Sequence, residues 1–130
     1  MSATRISATL DELIARAERI ASGGQRRILG IVGTPGAGKS TIAGHLVDAL
    51  GDKATLVPMD GYHLANEVLL ELGRRDRKGA PDTFDAYGYV ALLQRLMNQA
   101  SDEIVYAPKF HREIEEPIGS EIPVMPDVPL

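Results

Sequence analysis

The sequence of 130 residues contains no cysteine. That excludes disulfides, thiolate catalysis and cysteine-based zinc sites, and it fits a reducing compartment. An excess of positive charge is also missing, since 14 Lys and Arg stand against 18 Asp and Glu, a formal net charge of -4. Nucleic-acid binding normally rests on a basic surface that neutralises phosphates, so no nucleic-acid partner is expected. No apolar run approaches the length of a membrane span, and the N-terminus lacks the apolar core of a signal peptide. These absences lead to the expectation of a cytoplasmic chain without membrane contact. What remains is an ordinary globular composition with enough residues for one domain and its core.

The most informative stretch is Gly33-Thr34-Pro35-Gly36-Ala37-Gly38-Lys39-Ser40, which fits the phosphate-binding pattern G-x-x-x-x-G-K-[ST] without a mismatch. A nucleoside triphosphate presents clustered negative charge, and the chain must turn sharply for several backbone N–H groups to point at it. Gly33, Gly36 and Gly38 allow that turn at little steric cost, while Pro35 donates nothing and stiffens the loop. Lys39 supplies a point charge for the β- and γ-phosphates of ATP, and the Ser40 hydroxyl is placed for Mg²⁺. Thr41 begins a helix whose positive N-terminal end faces the anion. The context agrees with the motif. Arg27 to Val32 is a nearly continuous apolar run that suits a buried parallel strand, and Ile42, Ala43, Leu46, Val47 and Leu50 follow at helical spacing before Gly51.

Upstream, Thr9-Leu10-Asp11-Glu12 has the form of a capping box. Leu10, Leu13, Ile14, Ala17, Ile20 and Ala21 then make one apolar helical stripe, ended by Ser22-Gly23-Gly24. Downstream, Ala54 to Met59 is an apolar run ending at Asp60-Gly61-Tyr62-His63. In a parallel α/β sheet the carboxyl ends of strands open onto the ligand crevice, so an Asp just beyond this strand can orient, and deprotonate, an acceptor hydroxyl. The same Asp60 could instead cap the helix of Leu64, Val68, Leu69 and Leu72. His63 reads either as polar filler or as an acid, base or ligand, and His45 as structural. The run Gly73 to Pro81 is dense in positive charge and flanked by breakers, a surface loop from which Arg74, Arg77 or Lys78 could reach a substrate. Asp85 has the position of an N-cap for a helix carrying Tyr89, Leu92, Leu93, Leu96 and Met97. Ile104 to Arg112 and Ile118 to Val124 can form two short strands, edge strands because both contain proline.

Four stretches together resemble one family. They are the phosphate loop, Met59-Asp60-Gly61-Tyr62-His63-Leu64, the run Arg77 to Asp85, and Tyr106-Ala107-Pro108-Lys109-Phe110 through Glu116-Pro117. In this order they are similar to the uridine kinase, phosphoribulokinase and bacterial pantothenate kinase group, and most of all to its nucleoside-kinase-like, fructose-transport-system-kinase-like branch. The resemblance covers residues 26 to 130. It implies that Asp60 activates the acceptor and that the Tyr-x-Pro hairpin covers the acceptor pocket. His111 departs from the Asp that relatives tend to carry before the hairpin Arg, which bears on the polarity of that pocket. The group also continues into a core strand with a second Mg²⁺-site acidic residue and an arginine-bearing lid. Asp127 to Leu130 is the expected entry to that strand, and a bare fragment cut there is expected to be poorly stable or to associate.

The resulting expectation is an α/β fold, a P-loop NTPase three-layer α/β/α arrangement with a mainly parallel sheet, incomplete at its C-terminal end. Residues 1–130 form a single kinase domain: 1–25 the N-terminal helix, 26–60 strand, phosphate loop, helix and strand, 61–103 acceptor-side helices, 104–126 the hairpin. The expected activity is ATP-dependent phosphoryl transfer to the hydroxyl of a small metabolite. Lys39 and Asp60 are its catalytic residues, Gly33 to Thr41 hold MgATP with Ser40 on the metal, and Tyr62, His63, Arg77, Tyr106 and Arg112 bind the acceptor. A nucleotide-binding protein without turnover is the alternative, and a GTP-dependent switch is disfavoured because no Asn-Lys-x-Asp segment occurs. A homodimer stays open.

Overall fold

Each part of the chain folds where its apolar residues find a partner, and the computed structural model, which describes residues 2–130, divides them into two units. The first contains residues up to Leu56 together with Val128–Leu130, and the second contains Val57–Asp127.

In the first unit, α1 (Leu10–Ala21) is capped by Thr9, whose Oγ1 accepts from the backbone N–H of Glu12 at 3.2 Å. Most of its stripe faces the core: Ala17 and Ala21 are buried and Leu13 and Ile14 partly so, while Leu10 at the helix start is exposed. Leu13, Ile14, Ala17 and Ala21 pack with Leu46 and Leu50 of α2 (Lys39–Leu50), joined by Ile31, Ile42, Ala54 and Leu130. Helix α2 starts at Lys39 rather than Thr41, because Gly38 takes up the left-handed conformation (φ 94°) and turns the chain directly into the helix.

The segments on which a parallel sheet was expected form no strands. Arg27 N–H donates to Pro129 O (2.9 Å), Leu130 N–H to Lys53 O (3.1 Å), and Thr55 N–H to Leu130 O (2.9 Å). The last two bonds flank Ala54 in the alternation of a parallel pair, but they are too few to make a ladder. A strand exists only through its neighbours. Without them Ile28, Leu29 and Val32 are exposed, Val32 to 91%.

The second unit opens with a 3₁₀ turn, Met59–Tyr62, followed by α3 (Asn66–Leu72), 3₁₀ turns at Arg75–Arg77 and Pro81–Thr83, and α4 (Ala86–Met97). Asp85 caps α4, its Oδ1 accepting from Gly88 N–H at 2.9 Å, as its position predicts. Strands β1 (Val105–His111) and β2 (Glu116–Val124) pair antiparallel, the only sheet among the described residues. The pairing runs from Val105 opposite Val124 to Ala107 opposite Ile122, then resumes with Lys109 opposite Ile118. Between these points Pro108 faces a bulge of β2 containing Ser120, which has φ 59°. Proline has no N–H to give to a ladder, so the irregularity falls where pairing would have been lost in any case. Leu92 and Leu96 of α4 bury themselves against Val105, Ala107 and Val124, with Val57, Tyr62 and Ile122 at the edge of that core.

Among the described residues no helix is long and apolar enough to cross a membrane.

Candidate functional site

The phosphate loop closes on itself before α2 begins. Ala37 N–H donates to Thr34 O at 3.1 Å, Gly36 and Gly38 both have positive φ (79° and 94°), and the Lys39 ammonium folds back to donate to Gly33 O at 2.5 Å. A side chain at Gly33 would press on the loop, its Cβ lying 3.3 Å from that of Ala37 and 3.4 Å from Lys39 Cγ. Thr34, Pro35, Ser40 and Thr41 are exposed. Left-handed residues alternating with right-handed ones turn successive N–H groups to one side, and the helix N-terminus adds its positive end. Such a loop suits an oxyanion. Lys39, held meanwhile by a backbone carbonyl, has a flexible stem on which to move to a stronger acceptor.

In the second unit a cavity of about 460 Å³ is lined by Asp60, His63, Phe84 and Phe110 on one hand and by Arg75, Lys78, Arg112 and Glu115 on the other. The 3₁₀ turn explains the first group. Residues three apart eclipse in a 3₁₀ turn, so Asp60 and His63 come to one side of it, while Tyr62 falls on another. Tyr62 instead packs on Tyr89, with ring centroids 5.4 Å apart. Burial, and next the Asp85 carboxylate, push the Tyr62 hydroxyl above its ordinary pKa, and burial does the same for Tyr89. Both therefore stay protonated. They line a separate apolar cavity of about 380 Å³ with Met59, Pro81 and Val90.

His63 is the centre of the first cavity's wall. Its ring is stacked on Phe110 (4.4 Å between centroids, 28° between planes) and tilted against Phe84 at 4.2 Å. His63 Nδ1 lies 2.7 Å from Asp60 O. A carbonyl only accepts, so Nδ1 carries the proton and, in the neutral ring, Nε2 is the unprotonated nitrogen. Lys78, only 11% exposed, is fixed by Asn66 Oδ1 (2.7 Å) and Glu115 O (2.5 Å), and its ammonium stands 5.2 Å from the Phe110 ring centre. Asn66 also donates through its backbone N–H to Glu116 Oε1 at 2.5 Å and through Nδ2 to Glu115 O at 2.9 Å. These bonds tie the β1–β2 turn to the start of α3.

Of the residues expected at the acceptor, the cavity brings together Asp60, His63, Lys78 and Arg112. Tyr62 is turned to the core, and Tyr106 is half exposed and outside the cavity lining. Arg77 donates to Asp82 Oδ2 at 2.9 Å, with Arg74 beside it at 3.5 Å from the same oxygen, so one carboxylate engages both. Arg75, Phe84 and Phe110 also line the site. They lie in stretches singled out in the sequence but are not themselves among the expected binding residues, and they reach it through the 3₁₀ turns and the hairpin. His111, between Phe110 and Arg112, has both ring nitrogens on carboxylates: Nδ1 2.8 Å from Glu113 Oε1 and Nε2 2.5 Å from Glu121 Oε2. Those bonds, Glu121's first, hold its pKa above the ordinary histidine value.

With this geometry in hand, the relatives are informative. A candidate uridine kinase of Schizosaccharomyces pombe is 35% identical over 125 residues, covering 89% of this chain and 53% of that protein. The crystal structure of a candidate fructose transport system kinase from a Silicibacter species superposes with a TM-score of 0.81 at 36% identity, over 95% of this chain and 61% of that one. The chain is similar to P-loop kinases of the uridine kinase and pantothenate kinase group. A pantothenate kinase of Shouchella clausii adds 36% identity over 89 residues, 64% of this chain and 27% of that protein. No protein-family model matches. The chain spans about half the length of the Schizosaccharomyces pombe kinase-like relative.

Proposed function

We propose that this chain supplies the nucleotide loop and the acceptor cavity of a cytoplasmic kinase that transfers the γ-phosphoryl group of ATP to the hydroxyl of a small metabolite. The observation that carries this reading is the closed phosphate loop, with Gly36 and Gly38 left-handed and Lys39 folded over it at the start of α2. The similarity to named kinases supports it.

In the proposed reaction the acceptor oxygen forms a bond to the γ-phosphorus, the bond from that phosphorus to the β,γ-bridging oxygen breaks, and ADP leaves. The hydroxyl proton passes to the Asp60 carboxylate. Lys39 stabilises charge on the transferring group, and the loop N–H groups hold the phosphates. Ser40, exposed at the first turn of α2, would be the chain's own ligand for Mg²⁺. Bound there, Mg²⁺ would neutralise charge on the β- and γ-oxygens. Little covalent chemistry is asked of the protein, so positioning and electrostatics supply the rate.

Calorimetric titration with MgATP tests the reading. Binding by the native chain and its loss in Lys39→Ala are expected, and equal affinity in the two proteins would overturn it.

A further inference from the structure

We infer that the second cavity of this unit, about 380 Å³ and walled by Tyr62, Phe84, Asp85 and Tyr89, is a separate binding site for a small organic cation, a methylated ammonium group. The phosphate loop and the Asp60 carboxylate take no part in it. The volume falls in the range of small-molecule sites, roughly 300–1,000 Å³. Its walls are set by local bonds. An antiparallel bridge joins His63 to Phe84, Asp85 N–H donates to Tyr62 O at 2.8 Å, and Leu64 N–H donates to Thr83 O at 2.9 Å. These hold Tyr62 beside Phe84 and Asp85. Asp85 then caps α4, which brings Ala86, Tyr89 and Val90 onto one helix face at the spacing of neighbouring turns. The Tyr62 and Tyr89 rings meet at 5.4 Å with 55° between their planes, so together they form a corner, to which Phe84 adds a further aromatic wall.

Charge selects the occupant. Among the described residues Asp85 is the only charged side chain in the lining, and no Lys, Arg or His joins it. Arg95, whose charge reaches the Tyr62 hydroxyl, lies outside the lining and is paired with Glu103 at 3.1 Å. The Asp60 cavity shares Gly79 and Phe84 with this one, yet its wall carries Arg75, Lys78 and Arg112. Two adjoining cavities therefore differ in the sign of charge they favour. An aromatic ring presents a negative face, so three rings and a carboxylate attract a cation together and disfavour an anion. A neutral apolar molecule would use the rings and leave the carboxylate without a counterpart. A bare inorganic cation would have to give up its water for an apolar wall, at a cost that one carboxylate does not offset. A methylated ammonium meets both demands, because its charge lies beneath methyl groups that pack on the rings and on Met59 and Val90.

Choline and dimethylbutanol, its neutral isostere with carbon in place of the ammonium nitrogen, test this on the full chain by NMR titration. The chain has four tyrosines and no tryptophan, so the Tyr62 and Tyr89 ring signals can be followed directly. Choline is expected to shift both and to bind about tenfold tighter than the isostere. Asp85→Asn keeps an oxygen for the Gly88 N–H and so keeps the cap of α4; it is expected to lose most of that preference while the isostere binds as before. Tyr89→Leu, which keeps an apolar side chain but removes a ring, is expected to weaken choline about tenfold. Equal affinity of the two probes would overturn the cation and leave a neutral apolar site. Choline binding that leaves the tyrosine signals unmoved, or that neither variant weakens, would place the cation elsewhere and overturn the inference. Binding by neither probe would overturn it as well.

Discussion

Gly61 lies against the backbone of Pro108, so close that a Cβ on Gly61 would stand 2.8 Å from the Pro108 carbonyl carbon and 3.1 Å from its ring. The neighbour of Asp60 thus touches the middle of the hairpin that brings Phe110 and Arg112 to the cavity. Any side chain at this position must push either Asp60 or β1 aside.

Gly61→Ala is therefore expected to destabilise the second unit by about 1–3 kcal/mol, the usual cost of overpacking a close backbone contact. Urea denaturation measures it. Unchanged stability together with unchanged acceptor binding would show that the contact yields freely.

The hairpin is also expected to respond to pH through His111. Its pKa is raised above 6.5, chiefly by the bond to Glu121 and next by that to Glu113, so the stabilisation it contributes is complete below 6.5 and is lost as pH rises through the raised value. Glu113 is lowered from 4.5, first by its own backbone N–H and then by His111, so its contribution is present above 4.5 and lost as pH falls through the lowered value. The clip is tightest between those two ordinary values. An NMR titration should place the His111 midpoint above 6.5, and His111→Gln should flatten the alkaline decline in stability. A midpoint at or below 6.5 would contradict the geometry.

Asp85→Ala removes the side-chain cap of α4, whose Leu92 and Leu96 form the core of the second unit. A loss of about 0.5–2 kcal/mol is expected in thermal or urea unfolding, as for other N-caps. Asp85→Asn or Asp85→Ser should recover most of it, since both side chains can accept the Gly88 N–H.

What the sequence made legible was what is encoded locally. The phosphate loop, the Thr9 and Asp85 caps and the stripe of α1 each depend on residues within a turn or two of one another; both caps form, α2 follows the loop two residues earlier than its spacing predicts, and the stripe is buried or partly so except at its start. The sheet did not follow, because a parallel ladder is a property of partners far apart in the chain. Among the described residues the backbone bonds that link the segments expected to form it involve Arg27, Lys53 and Thr55 with Pro129 and Leu130. The cavity was half legible for a related reason. Asp60, His63, Lys78 and Arg112 could be named from their stretches, whereas Arg75 and Phe84, though within such stretches, are turned to the cavity by two 3₁₀ turns that no periodicity marks. Tyr62 and Arg77 had the right chemistry for substrate, but core packing took the first and Asp82 the second.

If Asp60 serves phosphoryl transfer, ADP formation from MgATP with and without an acceptor reports it, with Asp60→Asn measured alongside. Acceptor-dependent ADP that falls roughly a hundredfold or more in the variant, while MgATP affinity holds, is the predicted result. Acceptor-dependent ADP at the same rate in both proteins would contradict it and leave Asp60 as a structural residue of the 3₁₀ turn.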